Sequence, residues 1–368
     1  MQACLQSVPA DRPLLSAVVL LMQDSLDGDA RWEIGRSGLT AIRNLGEGQF
    51  GEVVLYLLQG DNEVHESALV ACKMLKVPEA ALDTDAAAAA AAETEFFQEL
   101  NLMKRLRHPN LVMLRGAVTT SSPFMIVLEF LAGGSLEDWL TRNADQVPDR
   151  TLTGILHQVA LGMVALGQHG VVHRDLAARN VLVGEDSIVK VSDYGLSREI
   201  SDTNYYTLRT GRALPIRWTA PEVLLTVRWN VMTDVYSYGV LVAETFTRGE
   251  IPYDQHEDPE FLELLGGDES LFDHLSFAWR GRDPPTGMKA LAGRCVSREP
   301  SERPSFAAVA QSCWELAAAS ATAVDGAVDD GYLMIQSSDL PPVVDDFVGG
   351  SESTVAGVFG GTGGEAMA

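Results

Sequence analysis

Three glycines, Gly46, Gly48 and Gly51, stand in the stretch GEGQFGEV between two runs that read as strands, LTAIRNL and GEVVLYLLQG. Lacking side chains, glycines at this spacing let backbone amides approach a phosphate. Dinucleotide-binding folds use the same spacing, but there the glycines open a helix, whereas here EVVLYLL continues as a strand. The context therefore favours a glycine-closed hairpin lying as a flap over a nucleoside triphosphate.

A third strand follows in SALVACKMLKV, so the first part of the chain reads as a small antiparallel sheet. The segment from Glu79 to Arg107 is helix-prone, and Phe96, Leu100, Met103 and Leu106 recur at helical spacing, which predicts one helix packed on that sheet. Its alanine run, Ala86 to Ala92, extends a helix at little cost and reads as a solvated insertion. Lys73 lies inside an otherwise apolar strand, where an unpaired ammonium is costly to bury. Glu99 and Glu95 share one face of the following helix, so spacing alone allows either as its partner. After MIVLEFLAGGSLEDWL the chain turns mostly helical, with Gly133 and Gly134 as connector and Ser135 as a helix cap.

The formal net charge of −24 excludes general nucleic-acid binding, which needs clustered positive charge. Cys4, Cys72, Cys295 and Cys313 lie far apart without metal-ligand spacing, as expected for reduced thiols in a cytoplasmic protein. The apolar run Leu14 to Met22 is too short to span a bilayer, so no transmembrane segment is expected in this chain. The last 52 residues hold eight Asp or Glu and no Lys or Arg, the composition of a disordered tail.

The ordered motifs GEGQFGEV, VACK, FFQELNLM, HRDLAARN, DYG at Asp193 to Gly195, APE at Ala220 to Glu222, DVYSYG, and Arg303 in SERPSF resemble the eukaryotic protein kinases, and specifically the protein-tyrosine kinases. The resemblance covers roughly residues 38–318. It implies an α+β, two-lobed fold, with a small antiparallel-sheet lobe carrying one main helix over 38–131 and a larger helical lobe over 132–318. Residues 1–37 form a flank and 319–368 an acidic tail in this division.

The resemblance also implies roles for individual residues. It selects Glu99 as the partner of Lys73, because the family places that glutamate four residues before a methionine like Met103. ATP would lie among Gly46, Glu47, Gly48, Gly51, Val53, Ala71, Lys73 and Leu182, with Leu128 as gatekeeper and Glu129 to Leu131 as the hinge against adenine. Asp175 would be the catalytic base, with Asn180 and Asp193 binding Mg2+. Ala177 and Arg179, in the AAR pattern, and Pro215 to Trp218 point to tyrosine as acceptor on protein substrates. Arg174 would clamp a phosphorylated activation loop in which Tyr205 or Tyr206 is modified, with Arg198, Arg209 and Arg212 nearby.

Other residues would brace the helical lobe or mark departures. Glu222 and Arg303 would form a structural ion pair, and Asp234 would support the catalytic loop. Tyr194 stands where phenylalanine is commoner, and Val296 where tryptophan is usual. Tyr332, in DDGYLMIQ, resembles a docking tyrosine for phosphotyrosine-reading domains, and RWEIGRSGLT resembles the juxtamembrane lead-in of receptor tyrosine kinases. The rival readings are a pseudokinase scaffold and a docking platform acting through Tyr332.

Overall fold

A computed structural model of the chain describes residues 32–48, 51–60, 67–75, 86–143, 147–185, 188–193, 198–199, 206–207, 215–267, 270–276 and 284–322. Strands β1 (Leu39–Gly48), β2 (Gly51–Leu58), β3 (Ala68–Met74), β4 (Leu114–Val118) and β5 (Met125–Glu129) form one antiparallel sheet in the order β1-β2-β3-β5-β4. Alternation along β3 sorts its side chains. Val70 and Cys72 enter a core with Ile34, Leu58, Val118, Met125 and Val127, while Ala71 and Lys73 take the opposite face. The register sets Val53 opposite Lys73 and Leu128 opposite Ala71, so the residues expected around a nucleotide share that second face.

Helix α1 (Ala86–Arg105) opens with the alanine run and closes on Lys104 and Arg105. Phe96 and Phe97 pack edge to face, and both meet Phe124 just before β5, with centroids 5.8 and 5.6 Å away. This anchoring, together with buried Leu100 and Met103, presents Glu99 toward β3.

The flank expected to run to residue 37 is part of the sheet lobe from at least Trp32. Ile34 donates its N–H to the Ala117 carbonyl at 2.7 Å and buries its side chain in the core. The Glu33 carboxylate accepts from the N–H groups of Thr119 and Thr120 at 3.0 and 3.2 Å, and from their hydroxyls at 2.6 and 3.0 Å. The edge of β4 is thereby covered instead of left open to other strands. Gly116 permits this approach, since a Cβ there would lie 2.5 Å from the Ile34 side chain.

Helices α2 (Leu136–Asn143), capped by the Ser135 hydroxyl at Asp138 N, and α3 (Asp149–Gln168) begin the helical lobe. The short strands of this part of the chain are β6 (Gly134–Ser135), β7 (Val171–Val172), β8 (Val181–Val183) and β9 (Val189–Val191), with β8 between β6 and β9. Strand β10 (Arg198–Glu199) pairs with β7, and β11 (Tyr206–Thr207) with β12 (Arg228–Trp229). The remaining helices are α4 (Pro221–Thr226), α5 (Val231–Phe246), α6 (Asp258–Gly266), α7 (Leu271–Ser276), α8 (Thr286–Cys295) and α9 (Phe306–Thr322).

Helix α5 is the axis of this lobe. Its run from Thr233 to Phe246 is buried, and a reciprocal cap between Asn230 and Thr233 fixes its start. Gly239 lets α8 approach, because a Cβ would fall 2.7 Å from Val296 and 2.8 Å from Cys295. Val296 is itself buried, so the smaller side chain in place of tryptophan is accommodated by close helix contact. Cys72, Cys295 and Cys313 are buried free thiols, and among the described residues no helix is long and apolar enough to cross a membrane.

Arg303 joins the segment after α8 to α4. Its guanidinium, fully enclosed, bonds both Glu222 oxygens at 2.6 and 2.9 Å, the Met232 carbonyl at 2.9 Å and the Ser297 carbonyl at 2.8 Å. Removing the carboxylate leaves a buried cation without its counter-charge. The Glu222→Ala protein is expected to lose about 3 kcal/mol of stability in urea unfolding; a loss under about 0.5 kcal/mol, the size typical of exposed pairs, would show that the bridge is dispensable.

Candidate active site

Three elements bring charge together at the junction of sheet and helices. The Lys73 ammonium lies 2.7 Å from Glu99 Oε1 on α1 and 3.1 Å from Asp193 Oδ1 just after β9. Burial alone would lower the lysine's pKa, but the two carboxylates outweigh it and raise the pKa, so Lys73 stays charged. Asp193 adopts φ 58° and Arg174 φ 73°, left-handed conformations uncommon outside glycine. Tyr194 and Gly195 lie outside the described residues.

The HRDLAARN segment is held from below by Asp234 of α5. Its two carboxylate oxygens accept the N–H groups of His173 at 2.7 Å and Arg174 at 2.8 Å. Burial pushes the Asp234 carboxyl's pKa up, while His173 and these two N–H groups oppose the shift. The His173 ring bonds the Ser192 carbonyl at 2.9 Å, which ties the loop to the residue before Asp193.

Asp175 is buried and doubly engaged. Asn180 donates its amide to Asp175 Oδ2 at 2.8 Å and to the Asp175 carbonyl at 2.7 Å, and Arg179 forms an ion pair with Asp175 Oδ1. Burial raises the Asp175 pKa; Arg179, His173 and the Asn180 hydrogen bond act against it, and Asp193 adds to it. With its amide N–H groups spent on Asp175, Asn180 has a carbonyl oxygen to offer, and Asp193 supplies a carboxylate. Oxygen donors of this kind fit Mg2+, so the residues present suit the metal expected here.

The Arg179 guanidinium lies 4.5 Å over the Trp218 ring, at the end of the 3-10 turn Ile216–Trp218. The Trp218 carbonyl accepts from Ser237 Oγ at 2.7 Å, and Thr219 Oγ1 donates to the Pro215 carbonyl at 2.9 Å. Arg217 fastens the same turn to the carbonyls of Pro252, Tyr253 and His256 and to Asp258. The Pro215 to Trp218 stretch is therefore a braced shelf beside Asp175.

At the far end of the sheet, Gly46, Glu47, Gly48 and Gly51 form the closing rungs of the β1–β2 hairpin, whose tip at 49–50 is outside the described residues. Bulges between Ala41 and Arg43 and between Asn44 and Gly46 bend β1 just before the glycines. Leu182 on β8 comes from the helical lobe and Ala71 and Leu128 from the sheet. Glu129 is bound on both sides: its N–H donates to the Met113 carbonyl at 3.1 Å, and its carboxylate takes Met113 N and Lys190 Nζ, each at 2.7 Å. The Leu131 carbonyl accepts Gly134 N–H at 3.3 Å.

Arg174 lies 5.5 Å over the Trp229 ring, and Trp229 pairs through its backbone with Tyr206. Tyr205, Arg209, Arg212 and Tyr332 lie outside the described residues. Sequence reasoning missed Ser192, Lys190 and Glu244; the last carried a signal, a lone carboxylate in the apolar run GVLVAETF.

The family model of protein tyrosine and serine/threonine kinases matches residues 39–313. The chain is 37% identical to "Tyrosine-protein kinase SRK2" of Spongilla lacustris over 281 residues, 76% of this chain and 70% of that one. It is also 37% identical to "Tyrosine protein-kinase src-1" of Caenorhabditis elegans and to "Tyrosine-protein kinase transforming protein Abl" of Abelson murine leukemia virus, covering 77% and 76% of this chain. Of those two relatives it spans 49% and 35% of the length.

In Asp234→Asn an amide N–H2 must face one of the two backbone N–H groups that the carboxylate now accepts. A stability loss of about 1–3 kcal/mol in urea unfolding is expected, and an unchanged midpoint would mean that the loop does not depend on this brace.

Proposed function

The chain belongs to the protein-tyrosine kinase family, and from that premise we propose that it transfers the γ-phosphoryl group of ATP to tyrosine hydroxyls on protein substrates. The observation that carries the proposal is the convergence of Lys73, Glu99, Asp193, Asp175 and Asn180, each ionic or hydrogen-bonded to another of the set. In this reading Lys73, steadied by Glu99, holds the α- and β-phosphates, and the glycine hairpin covers them. Ala71, Val53, Leu128 and Leu182 pack around adenine, and the hinge backbone from Glu129 to Leu131 bonds it. Asn180 and Asp193 would hold Mg2+, which would supply positive charge to offset the negative charge of the phosphates.

Asp175 accepts the proton of the acceptor hydroxyl as the tyrosine oxygen bonds to the γ-phosphorus and the bond to the β-phosphate oxygen breaks, releasing ADP. Burial raises its pKa, which favours proton acceptance, while Arg179, His173 and the Asn180 hydrogen bond act against the rise. Arg179 and the Trp218 shelf receive the phenol ring. Phosphorylation of Tyr205 or Tyr206 would add charge for Arg174 to bind, ordering the segment between Asp193 and Ala220. Tyr332, once phosphorylated, would recruit phosphotyrosine-reading domains. Reduced, scattered cysteines and the absence of a membrane-crossing helix among the described residues are consistent with work in the cytoplasm, including as the internal part of a receptor.

The test is transfer of labelled phosphate to tyrosine-only and serine/threonine-only peptides. Tyrosine peptides should be modified, and Asp175→Asn should lower kcat by about 10²–10⁴-fold. Transfer confined to serine or threonine, or equal rates in the variant, would refute the assignment.

A further inference from the structure

Glu244 sits near the end of α5 with only 2% of its surface exposed, directly after the apolar run 240–243. Its Oε2 accepts the Ala178 N–H at 3.0 Å. Ala178 opens the 3-10 turn Ala178–Asn180, so the next residue is Arg179, which pairs with Asp175 and overlies Trp218. The Trp218 indole N–H is buried, approaches the same carboxyl and lowers its pKa, without reaching good hydrogen-bond geometry. One carboxylate thus lies beneath both partners of the Arg179–Trp218 stack.

We propose that Glu244 is a positioning residue for the phosphoacceptor, its carboxylate joining the Ala178 turn to the Trp218 shelf and thereby setting the Arg179–Trp218 stack against which the substrate tyrosine lies. The inference rests on the tyrosine-kinase reading above. An ionised carboxylate offers an acceptor to each of the two N–H groups. A protonated carboxyl, or a glutamine, must turn a donor toward one of them, which pushes turn and shelf apart.

The charge state is poised for such an effect. Burial pushes the Glu244 pKa up to about 7; Trp218, Ala178 N–H and Arg179 act downward, and Glu137 of α2 acts upward. The carboxylate form is therefore present above about pH 7 and is lost as the pH falls through it. Acceptor binding should weaken on the acid side.

Steady-state kinetics of the full chain with MgATP and a tyrosine peptide between about pH 6 and pH 8.5 test this. Glu244→Gln is expected to raise the peptide KM about tenfold at pH 8, the effect of a buried donor facing a donor, with the ATP KM changed less than about twofold. The wild-type peptide KM should rise as pH falls through about 7, and the variant's should not. In Trp218→Phe, which lacks the indole N–H, adding Glu244→Gln should change the peptide KM no further. A Glu244→Gln peptide KM equal to wild type, or peptide and ATP KM rising together with a lower unfolding midpoint, would overturn the proposal. Should Glu244→Gln fail to fold, the wild-type pH dependence decides: its persistence in Trp218→Phe overturns the proposal and its disappearance supports it. No tyrosine transfer by the wild type would remove the kinase reading and this inference with it.

Discussion

The ion cluster of Lys73, Glu99 and Asp193 constrains most of the architecture around the site. A buried ammonium without counter-charge costs several kcal/mol, more than a domain can usually spare. Lys73 is placed on the inner face of β3 by simple alternation, since Val70 and Cys72 must face the core. Its charge then requires α1 to present Glu99 and the end of β9 to present Asp193. Sheet, helix and helical lobe are joined at one nitrogen atom, and the aromatic cluster of Phe96, Phe97 and Phe124 keeps α1 at the distance that contact needs.

The helical lobe applies the same rule with the signs reversed. Carboxylates on or beside α5, Asp234 and Glu244 buried and Glu222 half-buried, are satisfied mainly by backbone N–H groups and arginine, and each one fixes a loop. Asp234 holds His173 and Arg174, Glu244 holds Ala178, and Glu222 holds Arg303. Because α5 is enclosed from Thr233 to Phe246, the contacts of Asp234 and Glu244 anchor a loop that has little regular structure of its own to a buried helix. Asp175 and Asn180 can then face each other at 2.8 Å in a segment containing one left-handed residue, Arg174.

Much of this was legible in the sequence because it depends on local spacing. Glycines 46, 48 and 51 announced a hairpin, the Phe96-to-Leu106 periodicity announced α1, and Ser135 announced the cap of α2. The pairing of Lys73 needed more, since helical spacing admits both Glu95 and Glu99 and the family pattern was required to choose. The docking of Glu33 and Ile34 left no readable mark, because a two-residue bridge has no periodicity and its partners, Ala117 to Thr120, are over 80 residues away. Glu244 was visible only as a misplaced charge; its function depends on Ala178 and Trp218, which the fold alone brings near. The tight fit of Gly239 against Val296 belongs to the same class, since volume complementarity between distant residues is set by packing and not by pattern.

Calorimetric titration with ATP shows whether the Lys73 cluster is a triphosphate site completed by Mg2+. ATP should bind more tightly with Mg2+ than with EDTA, and Glu99→Ala, which leaves Lys73 with Asp193 as its remaining carboxylate in this cluster, should weaken MgATP binding by about tenfold, the loss of one charge-assisted hydrogen bond. Equal affinity with and without the metal, together with an unaffected Glu99→Ala protein, would contradict it.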